Sequence, residues 1–139
     1  MSKIIAIDFG LKRTGIAISD EARMFAFGLD TVPSSELMTF LKDLKQREKF
    51  STIALGMPLR LDNTDAHISE NVRLLKQALE KAFPDVTVDL VDERFTSRMA
   101  SDALFTAGAT KKQRRQKELV DKVSATIILQ SYIDHLRTV

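Results

Sequence analysis

Three acidic positions in this chain have the residue types and the placement for catalysis. Asp8 follows a short apolar run, and the pair Asp92 and Glu93 follows a later one. Because the carboxyl ends of strands line the ligand crevice of an α/β sheet, these acids can face one opening. Asp121 lies on a C-terminal segment of helical periodicity, on or beside its apolar face. Converging carboxylates in a chain without cysteine predict a site for Mg²⁺ or Mn²⁺.

Such a carboxylate site predicts hydrolysis of phosphodiester bonds. Two divalent ions about 3.5–4 Å apart can activate a water and stabilise the leaving oxygen. Each acid also has a purely structural interpretation. Asp8 could cap a turn beside Gly10, and Glu93 could pair with a following arginine. Asp121 could be an early-helix acid favoured by the helix dipole. Taken together with the order of the predicted elements, the catalytic interpretation is the one we favour.

The positive charge of the chain is concentrated in one place. Five basic residues fall between positions 111 and 117 of a chain whose net charge is +2. A local basic run indicates contact with a polyanion, although exposed loops also carry such runs. Aromatic residues form only 6% of the chain, so recognition of shape and phosphate is favoured over base stacking. The candidate nucleic-acid contacts are Lys12, Arg13, Arg98, Lys111, Lys112, Arg114, Arg115 and Lys117.

The elements that must position these residues follow from hydrophobic periodicity. A serine after Pro33 is a plausible N-cap for a helix that carries Leu37, Leu41 and Leu44. A further helix is predicted to begin near Thr96. Strands are predicted over residues 3–9, 14–19, 24–32, 52–55 and 86–91, and helices over 66–83 and 118–136.

This order of elements predicts an α/β fold. Three consecutive strands with short links favour an antiparallel meander, and strands joined through helices favour parallel neighbours. The expected architecture is a mixed five-stranded sheet, three antiparallel strands and then parallel strands, flanked by helices. A length of 139 residues fits one domain over residues 1–139.

Composition narrows the class of protein. A hydrophobic fraction of 44% supports a packed core, and the absence of cysteine excludes disulfides and thiolate metal sites. The longest uncharged stretch, residues 123–133, is shorter than the ~18–20 apolar residues that a membrane span needs. We therefore expect a cytoplasmic protein without a membrane segment.

Four motifs, in order along nearly the whole chain, resemble the YqgF family, whose members are described as Holliday junction resolvases and as pre-16S rRNA nucleases. The first motif is the stretch from Asp8 to Asp20, and the third runs from Asp92 to Ser97. The second is Gly56-Met57-Pro58 with Asp62-Asn63-Thr64, and the fourth extends from Lys111-Lys112 through Val120-Asp121 to Gln130.

The resemblance implies a ribonuclease-H-like fold and a catalytic triad of Asp8, Glu93 and Asp121. In this reading the three acids are the metal ligands, and one of them helps to position the attacking water. Two positions depart from the family pattern. Asn63 stands where glycine is usual, and Ser124 stands where alanine is usual. Ser124 could donate a hydrogen bond to Asp121.

The leading functional hypothesis is a metal-dependent endonuclease for structured RNA or branched DNA. The resemblance favours processing of the 5′ end of precursor 16S ribosomal RNA over resolution of Holliday junctions. A four-way junction would favour a homodimer, whereas the RNA role is also open to a monomer. Two other classes stay open. One is an actin-like nucleotide-binding protein, which would need a duplicated second half that a single domain does not provide. The other is a non-catalytic binding module, against which the intact carboxylates argue.

Overall fold

Five strands and three helices make up most of the described chain. The computed structural model describes residues 2–57, 66–92 and 117–138, without the side chains of residues 66–69, 92, 117–121, 137 and 138. The predicted helix near Thr96 and most of the basic run fall outside these ranges. The elements are β1 Lys3–Phe9, β2 Arg13–Ser19, β3 Ala26–Pro33, α1 Leu37–Arg47, β4 Phe50–Met57, α2 Ala66–Ala82, β5 Thr87–Asp92 and α3 Lys117–Thr138.

The strands form one mixed sheet in the order β3-β2-β1-β4-β5. The first three strands pair antiparallel, and β1–β4 and β4–β5 pair parallel. This arrangement confirms the predicted architecture. The antiparallel strands need only tight turns, whereas a parallel neighbour requires a crossover, which α1 and α2 provide.

One face of the sheet, here called the α1/α2 face, is packed with large apolar side chains. Alternate residues of β1, Ile5 and Ile7, point into it, together with the leucines that recur along α1. Phe50 at the start of β4 meets Phe83 edge to face, with 6.1 Å between the ring centroids. The predicted apolar stripe of α1 is confirmed, since Leu37, Leu41 and Leu44 are all buried.

The opposite face, here called the α3 face, is covered by α3 and built largely from small residues. Its strands contribute Ala6, Ala17 and Ala54, and the helix adds Ala125. The larger members of this cluster are Ile4, Ile128, Leu129 and Ile133. Small side chains allow the helix backbone to approach the sheet closely, so the position of α3 is set by tight contact.

The contacts of α3 with β3 fix the direction of the helix. A Cβ built on Gly28 would lie 2.8 Å from Lys122 Cγ, and Gln130 bonds the backbone of residues 24 and 26. α3 therefore runs antiparallel to β3. Because β3 runs in the same direction as β1, the N-terminal part of α3 lies towards the carboxyl end of β1. None of the described helices has an apolar stretch long enough to cross a membrane.

The prediction of a serine N-cap for the first helix is wrong. A 3-10 turn spans Ser34–Glu36, and α1 begins at Leu37 without a side-chain cap. The hydroxyl of Ser34 donates instead to the carbonyl of Gly10 and lies 2.8 Å from Thr14 Oγ1. Serine can bond many nearby backbone groups, so the sequence alone did not show that its partner is the β1–β2 turn.

Candidate active site

Of the three predicted catalytic acids, Asp8 is the one whose side chain the structure describes. It is the penultimate residue of β1 and is half-buried. Ile4 and Ala6, four and two residues earlier, belong to the cluster beneath α3. Because side chains alternate along a strand, Asp8 lies on the α3 face of the sheet. The predicted acid thus stands at a strand end, on the side of the sheet that α3 covers.

Gly56 is the neighbour of Asp8 on the adjacent strand β4. The parallel register pairs Ile7 with Leu55, so Asp8 lies level with Gly56, which in turn pairs with Val91 of β5. Gly56 shares the α3 face with Ala54 and carries no side chain, so β4 places nothing between Asp8 and β5 there. Two strand spacings separate β1 from β5 by about 10 Å. We did not predict this role for Gly56, although a glycine that ends an apolar strand was a signal for it.

The backbone at position 121 lies at nearly the same height on the sheet as Asp8. Gln130 bonds β3 around residue 25, and position 121 is nine residues nearer the start of α3, about 13.5 Å along the helix. Starting from residue 25, the same distance along the chain towards β3, at about 3.3 Å per residue, ends at Leu29. Its neighbour Asp30 pairs with Ile16, which pairs with Ile7, one residue before Asp8. The two backbone positions therefore lie at about the same level on the α3 face.

The other predicted site residues are less fully described. Glu93, Arg98 and residues 111–115 lie outside the described ranges, and Lys117 begins α3. Among the described residues no three metal-ligating side chains gather, and those of Glu93 and Asp121 are not among them. The donor chemistry fits a hard cation, because the predicted ligands are all carboxylates.

The hairpin that follows Asp8 is held rigidly. Ser34 fixes it from outside: its amide donates to the carbonyl of Lys12 at 2.9 Å, and its hydroxyl donates to Gly10. Position 10 requires glycine, since a Cβ there would lie 2.5 Å from the carbonyl oxygen of Arg13. Lys12, at the tip, is exposed. Two predicted phosphate contacts thus follow Asp8 by four and five residues: Lys12 at the constrained turn and Arg13 at the start of β2.

Ser124, which stands near Asp121 where the family usually has alanine, is buried with 1% of its surface exposed. Its Oγ has no hydrogen-bond partner among the described residues. A buried hydroxyl without a partner is costly, whereas alanine at this position would carry no such cost. The predicted hydrogen bond from Ser124 to Asp121 stays a prediction, because the carboxylate of Asp121 is not described.

A polar contact ties α3 to the edge strand β5. The hydroxyl of Tyr132 donates to a carboxylate oxygen of Asp89. Burial, followed by this bond to Asp89, raises the pKa of Tyr132 above its ordinary value. Asp89 and Val91 therefore face α3, whereas Val88 packs in the α1/α2 cluster. This alternation bears on the choice between Asp92 and Glu93 as the second acid of the site.

Comparison with solved structures gives the same fold. The structure titled "T. thermophilus RuvC in complex with Holliday junction substrate" matches with a TM-score of 0.58 at 14% identity, over 99% of this chain and 98% of that one. A fowlpox virus resolvase solved with Holliday junction DNA matches with a TM-score of 0.57 at 14% identity, over 96% of this chain and 98% of that one. The predicted ribonuclease-H-like fold is confirmed by these neighbours.

Comparison of the sequence identifies the family. A protein of Bacteroides fragilis named "Putative pre-16S rRNA nuclease" is 45% identical over 137 residues, covering 99% of each chain. The family model described as "RuvX: Holliday junction resolvase" matches residues 2–135. That match spans all four motifs, from Asp8 to Gln130. The chain therefore belongs to the RuvX family, also called YqgF, and is a nuclease of that family.

Proposed function

We propose that this nuclease cleaves structured RNA at a divalent-metal site formed by Asp8, Glu93 and Asp121, and that its substrate is the 5′ end of precursor 16S ribosomal RNA. The observation that supports the site is that Asp8 lies on the α3 face of the sheet, beside Gly56 of β4 and at about the level of position 121 in α3. The name of the Bacteroides fragilis relative supports the choice of RNA.

Strand parity supports Glu93 over Asp92 as the second acid. Asp89 and Val91 face α3, whereas Val88 packs on the other face. If this alternation continues one residue past β5, Glu93 follows Asp89 and Val91, and Asp92 follows Val88. A ligand that shares an ion with Asp8 must reach the α3 face. We therefore assign Glu93 to the site, in agreement with the family motif.

The chemistry divides between the ion and the side chains. Bound Mg²⁺ or Mn²⁺ supplies Lewis-acid stabilisation of the negative charge on the scissile phosphate. The three carboxylates hold the ion, and one of them orients the attacking water and accepts a hydrogen bond from it. Asp8 is half-buried, so its charge is poorly screened and attracts a cation more strongly than an exposed carboxylate would.

Basic residues around the site hold the nucleic acid by its backbone. Lys12 and Arg13 lie on the hairpin after Asp8, and their charges can neutralise phosphates next to the scissile bond. Contacts to phosphate position a strand without reading its sequence, which suits an enzyme that recognises shape. The remaining members of this set are Arg98, Lys111, Lys112, Arg114, Arg115 and Lys117.

The description of the matching family favours a second candidate substrate, the Holliday junction. A four-way junction offers two equivalent strands for cutting, so symmetric resolution favours a two-fold dimer of this chain. The RNA role has no such requirement. The oligomeric state in solution, measured with and without junction DNA, therefore bears on the choice between the two substrates.

The decisive experiment offers the purified protein precursor 16S ribosomal RNA and a synthetic four-way junction, each with Mg²⁺ or Mn²⁺. We expect cleavage of the RNA near its 5′ end, and loss of at least ~10²-fold in rate for Asp8→Asn and Asp121→Asn, the scale of a lost charge-stabilising group. Cleavage that survives both substitutions would assign the chemistry to another site. Preferential cutting of the junction would select the second candidate.

The nucleic-acid surface has a separate test. Binding of RNA to a variant with Lys111, Lys112, Arg114 and Arg115 replaced by alanine is measured at increasing salt. We expect weaker binding and a shallower dependence of affinity on salt, because fewer counterions are released. Replacing four exposed basic residues of α1, its following turn and α2 by alanine serves as a charge-matched control: Lys42, Lys49, Arg73 and Lys81. An unchanged salt slope would remove residues 111–115 from the interface.

A further inference from the structure

The side-chain amide of Gln130 makes two hydrogen bonds to the backbone beside β3, of the kind that a further strand would make at this edge of the sheet. Its Oε1 accepts a hydrogen bond from the amide of Ala26 at 3.1 Å, and its Nε2 donates to the carbonyl of Met24 at 3.3 Å. Phe25, between them, turns its own amide and carbonyl to Asp20. The amide of Ala26, the first residue of β3, and the carbonyl of Met24, two residues before it, therefore point away from β2, where a neighbouring strand would pair.

The orientation of this amide is itself fixed. Asp134, one turn further along α3, accepts a second hydrogen bond from Gln130 Nε2 at 3.1 Å. A carboxylate can bind only the nitrogen end of the amide, so the oxygen is left facing the amide of Ala26. Both ends of Gln130 are thus matched to their partners. Glutamate would lose the donor and methionine would lose both bonds.

Directional bonds at this place contribute to the register of α3 along the sheet. The rest of the α3 face is held by close packing of small apolar side chains and by the bond from Tyr132 to Asp89, and the bonds of Gln130 add a directional restraint against β3. A slip by one residue would move the helix by about 1.5 Å and turn it by roughly 100°. Metal sites tolerate displacements of only about 0.5 Å, so the register decides whether an acid on α3 reaches its ion.

We propose that Gln130 is a positioning residue for the metal site: by anchoring α3 to β3, it places Asp121 opposite Asp8. This proposal rests on the proposed function, since it takes Asp121 as a metal ligand. Position 121 lies nine residues before Gln130 on one continuous helix, so an axial displacement at the anchor is transmitted to the acid. Gln130 itself touches neither metal nor substrate.

The test compares Gln130→Met with Gln46→Met, the same change on the exposed side of α1. Mn²⁺ affinity is measured by calorimetry, and the metal-free Tm and the circular dichroism spectrum are recorded for each variant. We expect Gln130→Met to bind Mn²⁺ about tenfold more weakly, the scale found for residues that orient metal ligands. Gln46→Met is expected to bind Mn²⁺ as the unmodified protein does.

A second variant covers the case in which Gln130→Met does not fold. Gln130→Glu retains the acceptor for Ala26, and Asp134→Asn added to it removes the repulsion between the two carboxylates. We expect this double variant to fold and to bind Mn²⁺ with an affinity between those of the unmodified protein and Gln130→Met. Affinity equal to that of the unmodified protein in whichever of these variants folds would overturn the positioning role.

Asp121→Asn separates the failure of this proposal from the failure of the proposed function. If Asp121→Asn weakens Mn²⁺ binding and Gln130→Met does not, only the role of Gln130 is lost. If Asp121→Asn binds Mn²⁺ as tightly as the unmodified protein, the metal site itself is wrong and the positioning role falls with it. A fall in Tm for Gln130→Met without any loss of Mn²⁺ affinity would assign Gln130 a purely structural role.

Discussion

The two faces of the sheet are packed with side chains of different size and polarity. The α1/α2 face is filled by large aliphatic and aromatic side chains such as Phe50 and Leu41, whereas half of the cluster beneath α3 consists of alanines. The α3 face also carries the polar links, Gln130 to β3 and Tyr132 to Asp89. Large side chains bury more apolar area and so contribute more to stability. Small ones allow close approach, and polar links fix position, which suits the face that holds Asp8.

The largest effect on stability is expected from the α1/α2 face. Phe50 is 1% exposed, packs against Phe83 and lies beneath the Lys45 ammonium, 4.8 Å from the ring centroid. Phe50→Ala should lower the free energy of unfolding by about 3–5 kcal/mol, because it removes a buried ring and leaves a cavity. Cleavage per folded molecule should be unchanged. Denaturant unfolding measures the first quantity, with the exposed Leu11→Ala as control.

A weaker effect on stability and a stronger one on catalysis are expected on the α3 face. In Gly28→Ala the new Cβ would lie 2.8 Å from Lys122 Cγ and 3.2 Å from Thr126 Oγ1, so the Lys122 side chain, and with it the seat of α3 on β3, must adjust. We expect a loss of about 1–3 kcal/mol in unfolding free energy, the usual cost of overpacking. The rate of RNA cleavage should fall further than in Phe50→Ala.

The matched control for Gly28→Ala is its combination with Lys122→Ala, which removes the side chain that the new Cβ meets first. The double variant should recover part of both the stability and the cleavage rate, and Lys122→Ala alone should change little. If Gly28→Ala behaved like Phe50→Ala, with stability lost and catalysis kept, the contrast between the two faces would be wrong.

Tyr132→Phe should cost about 1 kcal/mol in unfolding free energy, since Asp89 loses its donor. Burial, and then the bond to Asp89, raises the pKa of Tyr132 in the folded protein. The tyrosine therefore contributes stability that is complete below the unfolded pKa of 10.0 and is lost as the pH rises above it. The stability difference between the two proteins, followed from pH 8 to 11, should shrink above that value. A constant difference would contradict the shift.

The smallest effect is expected at Asp20, which organises the turn before β3. Hydrogen bonds from the amides of Phe25 and then Met24 lower the pKa of Asp20 below its ordinary 3.8. Its carboxylate contributes stability above that value and loses it as the pH falls through the lower folded pKa. Asp20→Asn should therefore be slightly less stable at neutral pH, with a gap that closes below pH 3.8. Parallel acid titrations, followed by circular dichroism, measure this gap.

Much of the fold was predictable because it depends on local pattern. The apolar run of β1 was predicted with its exact bounds, Lys3–Phe9, and the leucine stripe of α1 was predicted to be buried. Alternation and helical periodicity are properties of neighbouring residues, so they can be read without a partner. The strand ends were less exact, since β4 begins at Phe50 and the prediction began at residue 52.

The sequence by itself determined the order of the elements, the strand-end acid Asp8 and, through its four motifs, the family. Only the tertiary structure decided which face of the sheet Asp8 occupies, that Gly56 is its neighbour on β4, and that Ser34 and Gln130 bind segments far from them in the chain. Hydrogen bonds between distant segments depend on the register and direction of packed elements. Those quantities arise from the packing of the whole chain, and no local pattern encodes them.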